Sequence, residues 1–121
     1  AEYTSIGPKE EVYLMPGQKV TFSLKYWEPE GLKLYAGMKA PFGSALVKVG
    51  HDVYDLKNAA DCYYDVTDNY ADLVTMTDED GYEYYVVTYT FEATDKIVSL
   101  TNIKVVGSHE FTIIENTDIN Q

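Results

Sequence analysis

Cys62, the only cysteine, together with His51 and His109 supplies the residue types of a thiol nucleophile and its base. Such a pair works when a third group orients the base, and no signature around these residues provides one. A buried structural thiol accounts better for Cys62, and the chain reads as non-enzymatic. Carboxylates are abundant, 20 Asp and Glu in all. Abundance does not make a glycosidase pair, and a short chain has little room for a walled substrate cleft. Two histidines so far apart in sequence do not suggest zinc.

Hard oxygen ligands are the more specific possibility. Asp78-Glu79-Asp80-Gly81 matches the start of an EF-hand loop but lacks the later bidentate acid, so a hairpin turn explains it better. Asp61, Asp65, Asp68 and Asp72, with Asn69 among them, could converge if their segment folds as a compact loop. These four aspartates are the candidate calcium ligands, and calcium is the one cofactor the sequence suggests.

Aromatic side chains form the third group. Twelve Tyr, one Trp and four Phe exceed what a core of this size needs. Flat rings stack on sugars and anchor protein interfaces at low entropic cost. The candidate exposed rings are Tyr82, Tyr84, Tyr35 and Trp27. The bland alternative is that tyrosine simply suits β-strands, with its phenol at the rim.

The elements that must position these residues are strands. The longest strand pattern is Gly81–Ala93, GYEYYVVTYTFEA. Tyr85, Val87, Tyr89, Phe91 and Ala93 point one way, toward a core. Tyr82, Tyr84, Val86, Thr88 and Thr90 point the other way, lightly covered or open to a partner. Leu73–Met76, the acidic turn and this strand predict a hairpin. Lys19–Tyr26 alternates as cleanly, with Val20, Phe22, Leu24 and Tyr26 inward and Lys19, Thr21, Ser23 and Lys25 toward water.

Shorter strands are predicted at Glu2–Ile6, Glu11–Met15, Leu32–Met38, Ala45–Val49, Lys96–Leu100, Ile103–Val106 and His109–Ile114. Gly50–Asp72 is the least regular stretch, with room for one helical turn at Lys57–Ala60. Residues 115–121 read as a polar tail or linker stub. Short strands at regular spacing, with no long helix, predict an all-β fold. The expected architecture is an antiparallel β-sandwich of about nine strands, jelly-roll or immunoglobulin-like, with a closed barrel second.

Length and charge set the outer bounds. A chain of 121 residues makes a single domain that buries about two-thirds of its unfolded surface. The net charge is −11, and the basic residues are nine Lys with no Arg. That excludes a basic stripe for nucleic acid and any bidentate guanidinium grip. Residues 1–50 carry six Lys against five acids, while residues 51–121 carry three against fifteen. The acidic half could steer a cationic partner, or simply keep an exported protein soluble. No stretch reaches the ~20 apolar residues of a membrane-spanning helix. The opening Ala1-Glu2-Tyr3, without an initiator Met, suggests a processed or excised segment and favours export.

Met15-Pro16-Gly17-Gln18-Lys19-Val20-Thr21-Phe22-Ser23-Leu24 resembles the Pro-Gly-led opening strand of cohesins and related carbohydrate-binding sandwiches. Gly31-Leu32 to Met38 is similar to the strand that follows in cohesins, and Gly81–Ala93 with Ile97–Val106 resembles their paired closing strands. The resemblance implies a non-catalytic, extracellular module of a bacterial surface or cellulosome protein that holds a partner on one sheet face. Tyr82, Tyr84 and Thr88 would carry that contact first, with Trp27 and Tyr35 as alternatives. Three functions follow as expectations. They are a protein-interaction module of cohesin type, a carbohydrate-binding module using the exposed Tyr and Trp, and a subunit of a surface fibre joined by edge-strand exchange through Glu2–Ile6.

Overall fold

The computed structural model describes residues 3–7, 11–27, 33–57, 62–106 and 111–115; of residues 3–7, 62 and 111–115 no side chain is described. Eleven strands occur among the described residues: β1 (Tyr3–Gly7), β2 (Val12–Leu14), β3 (Lys19–Tyr26), β4 (Lys33–Lys39), β5 (Ser44–Val49), β6 (Asp52–Lys57), β7 (Cys62–Asp65), β8 (Asp72–Thr77), β9 (Glu83–Ala93), β10 (Val98–Val106) and β11 (Phe111–Glu115). They form two sheets, and every described pairing is antiparallel. The first sheet runs β1-β10-β4-β7, with β2 beside β1 on the same side of β10. The second runs β11-β3-β9-β5-β6, with β8 also on β9. This is the expected antiparallel β-sandwich.

The alternation of the two longest patterns builds the core. From β3, Val20, Phe22, Leu24 and Tyr26 are buried, and from β9, Val87, Tyr89, Phe91 and Ala93. Directly opposed residues of an antiparallel pair share a face, and the register sets Phe22 against Tyr89 and Val20 against Phe91. Phe22 and Phe91 meet edge to face at 6.0 Å. Leu34, Ala36 and Met38 of β4 and Val98, Leu100, Ile103 and Val105 of β10 close the core from the first sheet.

Two expectations change. The strands expected at Lys96–Leu100 and Ile103–Val106 are one, β10, which begins at Val98. Its register against β4 slips between Leu100 and Asn102, so the inward positions shift from Val98 and Leu100 to Ile103 and Val105. A bulge inserts one residue without ending the strand; in sequence the broken alternation looks like a break. The irregular stretch Gly50–Asp72 holds two strands, β6 and β7. Strand β6 buries only Leu56 fully, and its Asp and Lys residues are those that blunt a sheet edge, so no core periodicity marks it. Of the predicted helical turn, Lys57 ends β6, and residues 58–60 lie outside the described residues, as do Leu32, His109 and the tail from 116.

The segment after β7 seals the gap between the sheets. Val66 is buried, and its N–H donates to the Leu34 carbonyl at 2.9 Å. Thr67 accepts from the Leu34 N–H at its hydroxyl, 3.0 Å, and from the Tyr89 hydroxyl at its carbonyl, 2.8 Å. One residue thus ties β4 in one sheet to β9 in the other.

Candidate functional site

The outer face of the second sheet carries a ladder of side-chain pairs along β3 and β9. It starts with Lys19 and Glu92, an ion pair at 3.9 Å. Next come two hydroxyl pairs, Thr21 with Thr90 at 3.3 Å and Ser23 with Thr88 at 3.0 Å. Lys25 then lies opposite Val86. At the end of the ladder Trp27 and Tyr84 meet at 5.4 Å with their rings tilted by 57°. The Lys25 ammonium lies over both, 4.8 Å from the indole and 4.2 Å from the phenol ring. Polar pairing therefore gives way along one face to an aromatic cluster with a cation in it.

The β8–β9 hairpin widens the cluster. Pairing Val74 with Val86 and Met76 with Tyr84 puts Val74 and Met76 on the same outer face. They are 42% and 46% exposed. The Tyr84 hydroxyl reaches the Met76 sulfur at 3.9 Å. Strand β8 pairs with β9 alone, and all six of its residues are exposed. The acidic turn is the expected hairpin connection. The Asp78 carboxylate accepts from the N–H groups of Asp80 and Tyr82, both at 2.9 Å, and Gly81 has φ +89°. The Asp side chain is spent on shaping the turn.

The sequence candidates thus separate into two groups. Trp27, Tyr84 and Thr88 share the outer face of the second sheet, and Tyr82 follows the turn, 68% exposed. Thr88 is engaged with Ser23. Tyr35 is elsewhere, on β4 of the first sheet between Lys104 and Asp65. Beside it the Lys104 ammonium lies 4.1 Å from the Tyr63 ring. Lys25, Val74 and Met76 were not singled out from the sequence; only the β3–β9–β8 register reveals them.

Among the candidate calcium ligands, Asp65 accepts from the N–H and hydroxyl of Thr67, and these two hydrogen bonds hold its carboxyl below the usual carboxylate range. Asp68 lines a pocket between the sheets, and Asp72 opens β8 opposite Thr88. Asp61 lies outside the described residues. Among the described residues no three His, Cys, Asp or Glu side chains form a group able to hold a metal. His51 is exposed in the two-residue turn between β5 and β6.

No family model matches this chain, and neither a curated protein nor a solved structure matches it. Of the resemblance to cohesins and carbohydrate-binding modules, the structure supports the antiparallel sandwich.

Proposed function

We propose that this chain is a non-catalytic binding module that holds a protein partner on the outer face of its second sheet, at the Trp27–Tyr84 end. The observation that carries the reading is the clustering there of Trp27, Tyr84, Val86, Val74 and Met76, with Val74 and Met76 near half exposed. Aromatic and Met side chains are enriched at interface centres. Asp78, Glu79 and Asp80 of the turn lie on the hairpin side of the cluster. A partner with a basic rim around an apolar centre would be complementary, and its approach would be steered by the charge of the acidic half.

The geometry favours a protein over a polysaccharide. Sugar stacking needs an open ring face, whereas Lys25 already occupies a face of both Trp27 and Tyr84, and the two rings are not coplanar. In this reading the module is extracellular, as the cohesin resemblance implies.

The test is a binding comparison with the source secretome and with polysaccharide affinity gels. The wild-type chain is expected to capture a defined partner with a reproducible Kd and to migrate unretarded in the gels. Met76→Glu should abolish capture while leaving the unfolding midpoint within experimental error, since Met76 is exposed. Retardation in a gel that Trp27→Ala removes would replace the protein reading with the carbohydrate one. Equal capture by wild type and Met76→Glu would remove this face from consideration.

A further inference from the structure

A concave site lies between the sheets, beneath the segment that links β7 to β8. It is a pocket of about 200 Å³ whose walls include Tyr26, Tyr70, Tyr89, Leu34 and Leu73, with Asp68 among them. The Tyr70 and Tyr89 rings stand nearly perpendicular, 86° apart with centroids at 6.4 Å. Tyr26 is backed by the Tyr85 ring, stacked at 5.7 Å. The Tyr89 hydroxyl donates to the Thr67 carbonyl, which fixes that ring and leaves its oxygen lone pairs as acceptors. Asp68 is exposed and carries the one formal charge in the lining, with no ion-pair partner among the described residues.

We propose that this pocket binds an alkylammonium group, held by the Tyr26, Tyr70 and Tyr89 rings and neutralised by the Asp68 carboxylate. Three tyrosines, two of them nearly perpendicular, with one acid form an arrangement that favours a cation over its neutral counterpart. The volume is below the ~300–1,000 Å³ of sites that enclose a drug-sized ligand, so a compact head group or a side-chain end fits and an oligosaccharide does not. A calcium ion needs about six to eight oxygen ligands, carboxylates foremost, and the lining holds a single carboxylate, Asp68. Burial pushes the Tyr26 and Tyr89 phenols upward, so both stay neutral well above neutral pH.

The ammonium could belong to a small quaternary amine or to a lysine side chain, and the experiment separates the two. Ring signals of isotopically labelled tyrosine are followed in the full chain during titration with choline, with Nα-acetyl-lysine methylamide, and with the neutral tert-butyl isostere of choline. Saturable shifts of Tyr26, Tyr70 and Tyr89 are expected with at least one of the cations, while exposed Tyr13 and Tyr82 stay in place. The neutral isostere should bind roughly tenfold more weakly or less, and Asp68→Asn, at an exposed position, should weaken the cation several-fold without unfolding the chain. Response to choline alone assigns a quaternary amine, and response to the lysine derivative alone assigns a protein side chain; either upholds the site. No saturable shift with either cation, equal binding of the neutral isostere, or an unchanged affinity in Asp68→Asn would overturn it. The pocket is separate from the Met76 face, so its failure leaves the proposed partner surface standing.

Discussion

The ammonium of Lys25 lies 4.2 Å from the ring centroid of Tyr84, across the β3–β9 pair at the end of the outer-face ladder. The same ammonium covers Trp27, so one cation locks two aromatic rings contributed by distant parts of the chain. Under the proposed function, such prior contact between the rings would lower the entropy lost on binding.

Lys25→Met keeps most of the side-chain packing and removes the charge. The expected loss is about 0.5–1 kcal/mol of stability, the range for a partly exposed cation–π contact. Trp27 is the only tryptophan, so its fluorescence reports both the urea midpoint and the change in its surroundings. An unchanged midpoint with unchanged emission would mean that the ammonium spends its time in water.

Among the described glycines, Gly50 has the least room for a side chain. Its φ is +56°, and an added Cβ would lie 2.1 Å from the Asn69 carbonyl oxygen and 2.7 Å from the backbone of Tyr70. Its N–H also donates to the Thr90 carbonyl at 3.0 Å, where β9 passes from β8 to β5. Gly50→Ala is expected to cost about 3 kcal/mol or more, among the larger single-residue effects. Gly43→Ala provides the control. It has φ +104° but open space around it, so only the backbone penalty of about 1–2 kcal/mol remains. Equal denaturation midpoints for the two variants would contradict the close approach of Asn69.

Among the described residues, two carboxylates are held below their ordinary range. Hydrogen bonds from Thr67 hold Asp65 below its ordinary pKa, and those from Ser99 and then Tyr13 lower Glu11. A depressed folded-state pKa contributes stability that is present above about pH 4 and is lost as the pH falls through the folded value. The wild-type chain should therefore lose stability on acidification below about pH 4. Asp65→Asn and Glu11→Gln should each flatten that limb, as followed by thermal melts between neutral and acid pH. A limb of unchanged slope in both variants would shift the cause to other acids.

The alkaline limb has the opposite sign. Burial raises Tyr89 far above its ordinary value, so the folded chain holds a proton that the unfolded chain releases from about pH 10. Stability should fall as the pH rises above that point. Tyr89→Phe should reduce this dependence, leaving the smaller share of tyrosines such as Tyr26, and it leaves the Thr67 carbonyl without its hydroxyl donor, at a cost of about 1–3 kcal/mol near neutral pH. A full alkaline limb in Tyr89→Phe would assign it to other tyrosines.

The sandwich was legible wherever one face of a strand is buried. Lys19–Tyr26 reads from the sequence with its observed bounds, and Val87, Tyr89, Phe91 and Ala93 read correctly as core. A period of two leaves no freedom about which side goes inward once the core exists. The Asp78–Gly81 turn was legible because Asp and Gly have local backbone reasons to be there.

The remaining features depend on contacts between distant segments. The β6 edge has almost no inward period, and the bulge in β10 reverses its parity, so neither follows from local pattern. The candidate residues Trp27, Tyr84 and Tyr35 are alike as amino acids, yet register places the first two in one cluster and Tyr35 on the opposite sheet. Asp65, Asp68 and Asp72 look like a single series, but Asp65 bonds Thr67, Asp68 lines the tyrosine pocket and Asp72 starts an edge strand. By itself the sequence determined the strand type, the core faces and the charge, because these follow from local alternation and composition. Only the tertiary structure decided which aromatic rings and acids become neighbours, because strand register and sheet pairing bring together residues that no local pattern connects.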